Sequence, residues 1–189
     1  MNSVCVFCGS RPGNNEEFAK KAYIFGKLLA LRNLTLIYGG AKVGIMGALA
    51  NGVLENGGKA IGVLPVFFQE KEIAHDKLNE LILVKSMDER KVKLIEMSDS
   101  FVALPGGFGT LDEISEVLTL SQLGKFKKPL GFLNIDGFFD NLLQFFNTMY
   151  AHEYIKNEHL QLYYASSDAT KLIEWLKSYE APVLKQWIK

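Results

Sequence analysis

Residues 98–120 read SDSFVALPGGFGTLDEISEVLTL, and the fold follows from this stretch. Phe101-Val102-Ala103-Leu104 has the length and composition of a fully buried parallel strand. Pro105 with Gly106, Gly107 and Gly109 then forms a loop that can continue neither a strand nor a helix. Thr110 followed by Glu113 spells a T-x-x-E capping box, which predicts Thr110 as the N-cap of a helix. Leu111, Ile114 and Leu118 supply that helix with an apolar face. The order strand, glycine loop, helix N-terminus gathers unpaired backbone N–H groups at the positive end of a helix dipole. Such a place takes an anion, and a phosphate above all.

The spacing narrows the kind of site. No lysine follows Gly107 as a Walker A loop requires, and GGFGTLDE does not match the dinucleotide fingerprint. Instead a carboxylate, Glu113, stands one turn into the helix. Near a bound phosphate it is an electrostatic cost unless it acts on another part of the ligand. Closing the capping box is the other role open to it.

Outward from this stretch, apolar runs alternate with helical patterns. Strands are expected over residues 3–8, 34–38, 59–64, 80–85 and 129–133, with a short last strand or extended piece at 163–165. Helices are expected over 16–32, from the loop at 39–47 to about 56, and over 86–97, 138–150 and 168–178; residues 66–79 carry a loop or short helix. Ser86 and Glu89 form a second capping box. This alternation predicts an α/β fold, a doubly wound, Rossmann-like parallel sheet with helices on both faces, as one domain over residues 1–189. Glycine loops at Gly9, Gly39 and Gly106 all follow strands, so all belong at the carboxyl edge where such sheets bind ligands. The site is nucleotide-sized. An NAD site does not fit, because CGSRPGN lacks the fingerprint glycines and Tyr38-Gly39 offers no ribose-binding acid.

Composition removes other classes. With 21 basic and 21 acidic side chains the net charge is zero, which argues against a nucleic-acid or anionic-membrane partner. No apolar run reaches the length of a membrane span, and the N-terminus lacks the basic region of a signal peptide, so a cytoplasmic location is expected. Cys5 and Cys8, the only cysteines, sit three apart in a strand pattern and therefore on opposite faces, which suits neither a redox pair nor a metal site. His75, His152 and His159 are scattered without ligand spacing and read as ordinary surface or satisfied histidines.

Arg90, Lys91 and Lys93 fall in the first two turns of the helix opened by Ser86, where the dipole favours negative charge. A solvated charged face is one reading. The other is that Arg90 faces an anionic ligand, which a planar guanidinium grips bidentately.

Pro105-Gly106-Gly107-Phe108-Gly109-Thr110-Leu111-Asp112-Glu113 resembles the PGGxGTxxE motif of the LOG ("lonely guy") family of cytokinin riboside 5′-monophosphate phosphoribohydrolases, often mislabelled lysine decarboxylases. The likeness extends to Cys8-Gly9-Ser10, Tyr38-Gly39-Gly40, Gly44-Ile45-Met46-Gly47, Gly62-Val63-Leu64-Pro65 and Arg90-Lys91. It implies Arg90 and Glu113 as the catalytic pair. It further implies substrate contacts from Glu72, Arg90, Lys91, Gly106, Gly107, Phe108, Gly109, Thr110, Leu111, Asp112, Glu113 and Thr119, with Ser10 and Gly40 as weaker candidates. The reaction implied is hydrolysis of the N-glycosidic bond of a purine nucleoside 5′-monophosphate, AMP or its N6-modified forms, to free base and ribose 5-phosphate. Neither metal nor cofactor is implied, and the assembly implied is a homodimer or larger homo-oligomer with the pocket partly built at the interface. A non-catalytic nucleotide-binding or carrier protein on the same fold is the alternative. Ala41 replaces a usual glycine, Asp88 a usual histidine and Asp112 a frequent glutamate, departures that bear on specificity more than on reaction class.

Overall fold

The computed structural model describes residues 1–69 and 73–184. Seven strands, β1 (Ser3–Phe7), β2 (Thr35–Tyr38), β3 (Ala60–Pro65), β4 (Glu80–Val84), β5 (Ser100–Ala103), β6 (Leu130–Leu133) and β7 (Tyr163–Ser166), form one sheet in the order β4-β3-β2-β1-β5-β6-β7. Every neighbouring pair is parallel. The expected doubly wound sheet is present, and each expected strand lies within about a residue of its place. The short helix in the 66–79 stretch is α3 (Val66–Gln69).

Six longer helices cover the two faces. On one, α1 (Glu16–Leu31), α2 (Gly44–Leu54) and α7 (Ala169–Ser178) bury Phe25, Leu49 and Leu172 with Val4, Val6 and Leu36 of the sheet. On the other, α4 (Met87–Glu96), α5 (Phe108–Gln122) and α6 (Asp140–Ala151) bury Leu94, Ile114 and Phe146 with Phe101, Val63 and Phe132. Cys5 and Cys8 fall into these two opposite clusters, both as free thiols. Central strands read as unbroken apolar runs because both faces are covered. Among the described residues no helix is long and apolar enough to cross a membrane.

The chain begins in the middle of the sheet, winds out to β4, and returns beside β1 as β5. That return makes β1 and β5 the switch point, where the connections diverge and leave a crevice at the carboxyl edge. The loops leaving the two strands are tied together: the Gly9 N–H donates to the Pro105 carbonyl at 3.0 Å, and the Met46 N–H to the Gly9 carbonyl at 3.2 Å.

Two local expectations change. α5 starts at Phe108 with Gly107 as its N-cap, so Thr110 is not a cap but the third residue of the helix, and it is buried. No side chain caps this end. With Gly107 in the extended cap conformation, the helix starts three residues earlier than the threonine signal suggests. Glu113 therefore closes no capping box. At α4 the box is half as expected: Ser86 Oγ accepts from the Glu89 N–H at 3.1 Å, but the Glu89 carboxylate reaches back to the Lys85 N–H at 2.7 Å.

Candidate active site

The three glycine loops converge on a cavity of about 780 Å³ at the carboxyl edge of the sheet. One wall is backbone: Gly9, Ser10 and Arg11 after β1, and Pro105 to Thr110 after β5. An apolar wall comes from Ala41, Val43 and Met46 around the start of α2, with Leu64, Phe68, Ile73 and Met87. Arg90 and Glu113 also line the cavity.

These two charged side chains are 7% and 6% exposed, among the most buried ionisable groups described. Arg90 Nη1 donates to Glu113 Oε1 at 3.1 Å, and Arg90 Nε donates to the Val63 carbonyl at 3.0 Å. Arg90 leaves the first turn of α4 and Glu113 the second turn of α5, so the pair ties two helices on the same face of the sheet. Burial pushes the Glu113 carboxyl up to about 7, against the pull of the Arg90 guanidinium; Asp112 and Glu116 push the same way as burial. A carboxyl so placed can exchange a proton near neutral pH.

The other residues named from the sequence divide into two sets. Gly106, Gly107, Phe108, Gly109 and Thr110 line the cavity with Arg90 and Glu113, as does Ser10. Lys91, Leu111, Asp112, Thr119 and Gly40 are not part of that lining. Lys91 instead reaches from α4 to α5, where its ammonium pairs with Glu116 at 2.8 Å and Asp112 at 3.2 Å; these partners push its pKa up to about 12. Thr119 is exposed, its hydroxyl donating to the Ser115 carbonyl at 2.7 Å. Glu72 lies outside the described residues.

Sequence reasoning did not find the apolar wall. Its residues come from four separate segments and share no spacing. Phe18 and Phe138, packed edge to face at a centroid distance of 5.6 Å, also line the cavity and were equally silent.

A model of the family described as "Possible lysine decarboxylase" matches residues 46–176. A probable cytokinin riboside 5′-monophosphate phosphoribohydrolase of Oryza sativa subsp. japonica is 43% identical over 176 residues, spanning 93% of this chain and 78% of that protein. The chain belongs to the LOG family.

A cytokinin riboside 5′-monophosphate phosphoribohydrolase of Arabidopsis thaliana is 39% identical to this LOG-family chain, over 94% of it and 78% of the relative. Among solved structures, the molybdenum cofactor binding protein of Rippkaea orientalis superposes with a TM-score of 0.72 at 25% identity, covering 94% of this chain and 96% of that one. The molybdenum cofactor carrier protein of Chlamydomonas reinhardtii gives 0.73 at 25% identity over 94% and 97%. The LOG-family chain thus shares its Rossmann-like fold with molybdenum cofactor carriers.

Proposed function

We propose that this protein hydrolyses the N-glycosidic bond of purine nucleoside 5′-monophosphates, AMP or N6-modified AMP, to free base and ribose 5-phosphate. The observation that carries the reading is the buried Arg90–Glu113 pair lining the cavity beside the uncapped start of α5. In this reading the substrate phosphate sits on the Gly107–Thr110 amides. Remote binding energy then places the anomeric carbon near Glu113. The bond from that carbon to the base nitrogen breaks with its electron pair going to the base. Water adds to the oxocarbenium-like carbon and gives up a proton, which Glu113 accepts as its negative charge steadies the cation. The departing base takes up a proton. Arg90 holds Glu113 in place and steers the ligand's negative charge. The apolar wall of Ala41, Leu64, Phe68 and Ile73 suits a purine with an apolar N6 substituent.

The test is incubation of the pure protein with AMP and with N6-isopentenyl-AMP, following free base by chromatography. Release of base from either supports the reading, and release from neither overturns it. The likeness to cofactor-carrier structures favours one other reading, a nucleotide carrier without turnover. AMP that stays bound and intact for hours would support that one.

The chain is proposed to work as a single nucleotide-binding unit in the cytoplasm, as a homodimer or larger homo-oligomer whose partner completes the pocket. Support comes from Phe108, 91% exposed at the cavity mouth, and from the position of Thr119 and Lys91 outside one protomer's cavity. Full activity from a species that light scattering shows to be a monomer would refute the shared pocket.

A further inference from the structure

Between α3 and β4 the chain turns back over the loop that follows β2. The Lys42 N–H donates to the Ile73 carbonyl, and the His75 N–H to the Gly40 carbonyl, both at 2.9 Å. These bonds flank an isolated antiparallel bridge between Ala41 and Ala74. The strap places Ile73 in the apolar wall of the cavity, and the loop beneath it places Ala41 there.

The side chain of His75 holds the strap to the body of the protein. The residue is 8% exposed. Its Nδ1 accepts from the Lys77 N–H at 3.2 Å, and its Nε2 lies 3.1 Å from Asn51 Oδ1 on α2. A backbone amide can only donate, so Nδ1 carries no proton and Nε2 carries the one that goes to Asn51. The geometry accepts a neutral ring. A second proton, on Nδ1, would point at the Lys77 N–H and break that bond.

The surroundings do not favour the imidazolium. Burial acts against it most, and Lys77 and Lys42 act the same way, so its pKa is held below the ordinary histidine value. Asp76 favours it, but that carboxylate is 77% exposed and already paired with Lys42 at 3.3 Å. The α2 helix, which carries Asn51, has no ionisable side chain between Gly44 and Leu54.

We propose that His75 is a positioning residue: as a neutral imidazole it latches the Ile73–His75 strap onto α2 and fixes the apolar wall against the base, and protonation loosens that wall and weakens substrate binding. The effect on substrate rests on the nucleotide reading above; the latch does not.

The test compares wild type with His75→Gln and His75→Ala. Glutamine keeps a donor for Asn51 and does not titrate. The first readout is amide exchange at Lys42 and at position 75 in the free protein, corrected for intrinsic rates, from pH 8 to pH 5. Wild-type protection should fall by about tenfold on acidification, the scale of one lost hydrogen bond. It should be pH-independent in His75→Gln and low throughout in His75→Ala. A wild type equally protected at both pH values, or a His75→Gln that declines with it, overturns the latch. The second readout is base release from AMP, whose own phosphate titration is common to all three proteins. KM of wild type should rise relative to His75→Gln as pH falls, while the ratio of their kcat values stays constant. Identical KM profiles overturn the link to substrate. Base release by none of the three, with exchange as expected, would leave the latch standing and sink the hydrolase reading instead.

Discussion

Arg90 passes directly over the Cα of Gly39: a methyl group added there would collide with Nη2 of the guanidinium and press on the end of the Met46 side chain. Gly39 does not have a positive φ, so close approach rather than backbone freedom explains the glycine. The loop after β2 thus leaves open the path by which Arg90, from α4, reaches Glu113 on α5.

Gly39→Ala should therefore move Arg90 without unfolding the protein. The atoms in the way are the far ends of flexible side chains, so the cost in stability should be about 1–3 kcal/mol. Base release should fall by roughly 10–10³-fold, because Glu113 loses its partner. Thermal melts beside single-turnover assays would show it. A variant with wild-type turnover means that the Arg90–Glu113 contact is dispensable.

Gly107→Ala should do the reverse. A Cβ at Gly107 would meet nothing within 4 Å. Stability should stay within about 0.5 kcal/mol of wild type. KM should rise, because the methyl occupies the approach to the α5 amides. Unchanged KM would move the phosphate elsewhere.

Glu113→Gln should lower turnover by roughly 10²–10⁴-fold, the scale for loss of a positioned acid or base. Substrate should still bind, since the backbone wall is untouched. Equal rates for variant and wild type would make Glu113 a structural residue.

The raised pKa of Glu113 fixes the sign of two pH effects. The native state holds its proton up to about 7, whereas an unfolded chain releases it near 4.5. Native molecules therefore bind more protons across that window, and this group makes stability fall as pH rises through it. Melts of Glu113→Gln against wild type should show the variant's relative stability growing from pH 4.5 to 8, by on the order of 1–3 kcal/mol. A pH-independent difference would contradict the burial argument. Activity should move the other way: kcat/KM should rise toward a plateau above pH 7 as the carboxylate forms, and a bell centred well below 6 would exclude Glu113 as the base.

Much of the architecture was legible because its causes are local. The central strands are short apolar runs that only a sheet covered on both faces can bury, and the glycine loops punctuate them at the same edge. The odd spacing of Cys5 and Cys8 is enough to put them on opposite faces, since strand periodicity is a property of the backbone. The PGGFGTLDE stretch likewise announced a strand, a glycine loop and a helix start in that order, an arrangement that suits an anion.

The sequence alone therefore determined the fold class, the edge of the sheet that carries the site, and the identity of Arg90 and Glu113 as candidates. Tertiary structure decided the rest. Gly107 rather than Thr110 caps α5, and two competing local signals could not settle that choice from the sequence. The contact between Arg90 and Glu113 spans separate helices, and its cost in desolvation exists only once both are buried, so the raised Glu113 pKa has no counterpart in the chain as text. The apolar wall and the His75 strap are likewise assembled from segments distant in sequence. Their residues acquire meaning only from what the parallel crossovers bring beside them.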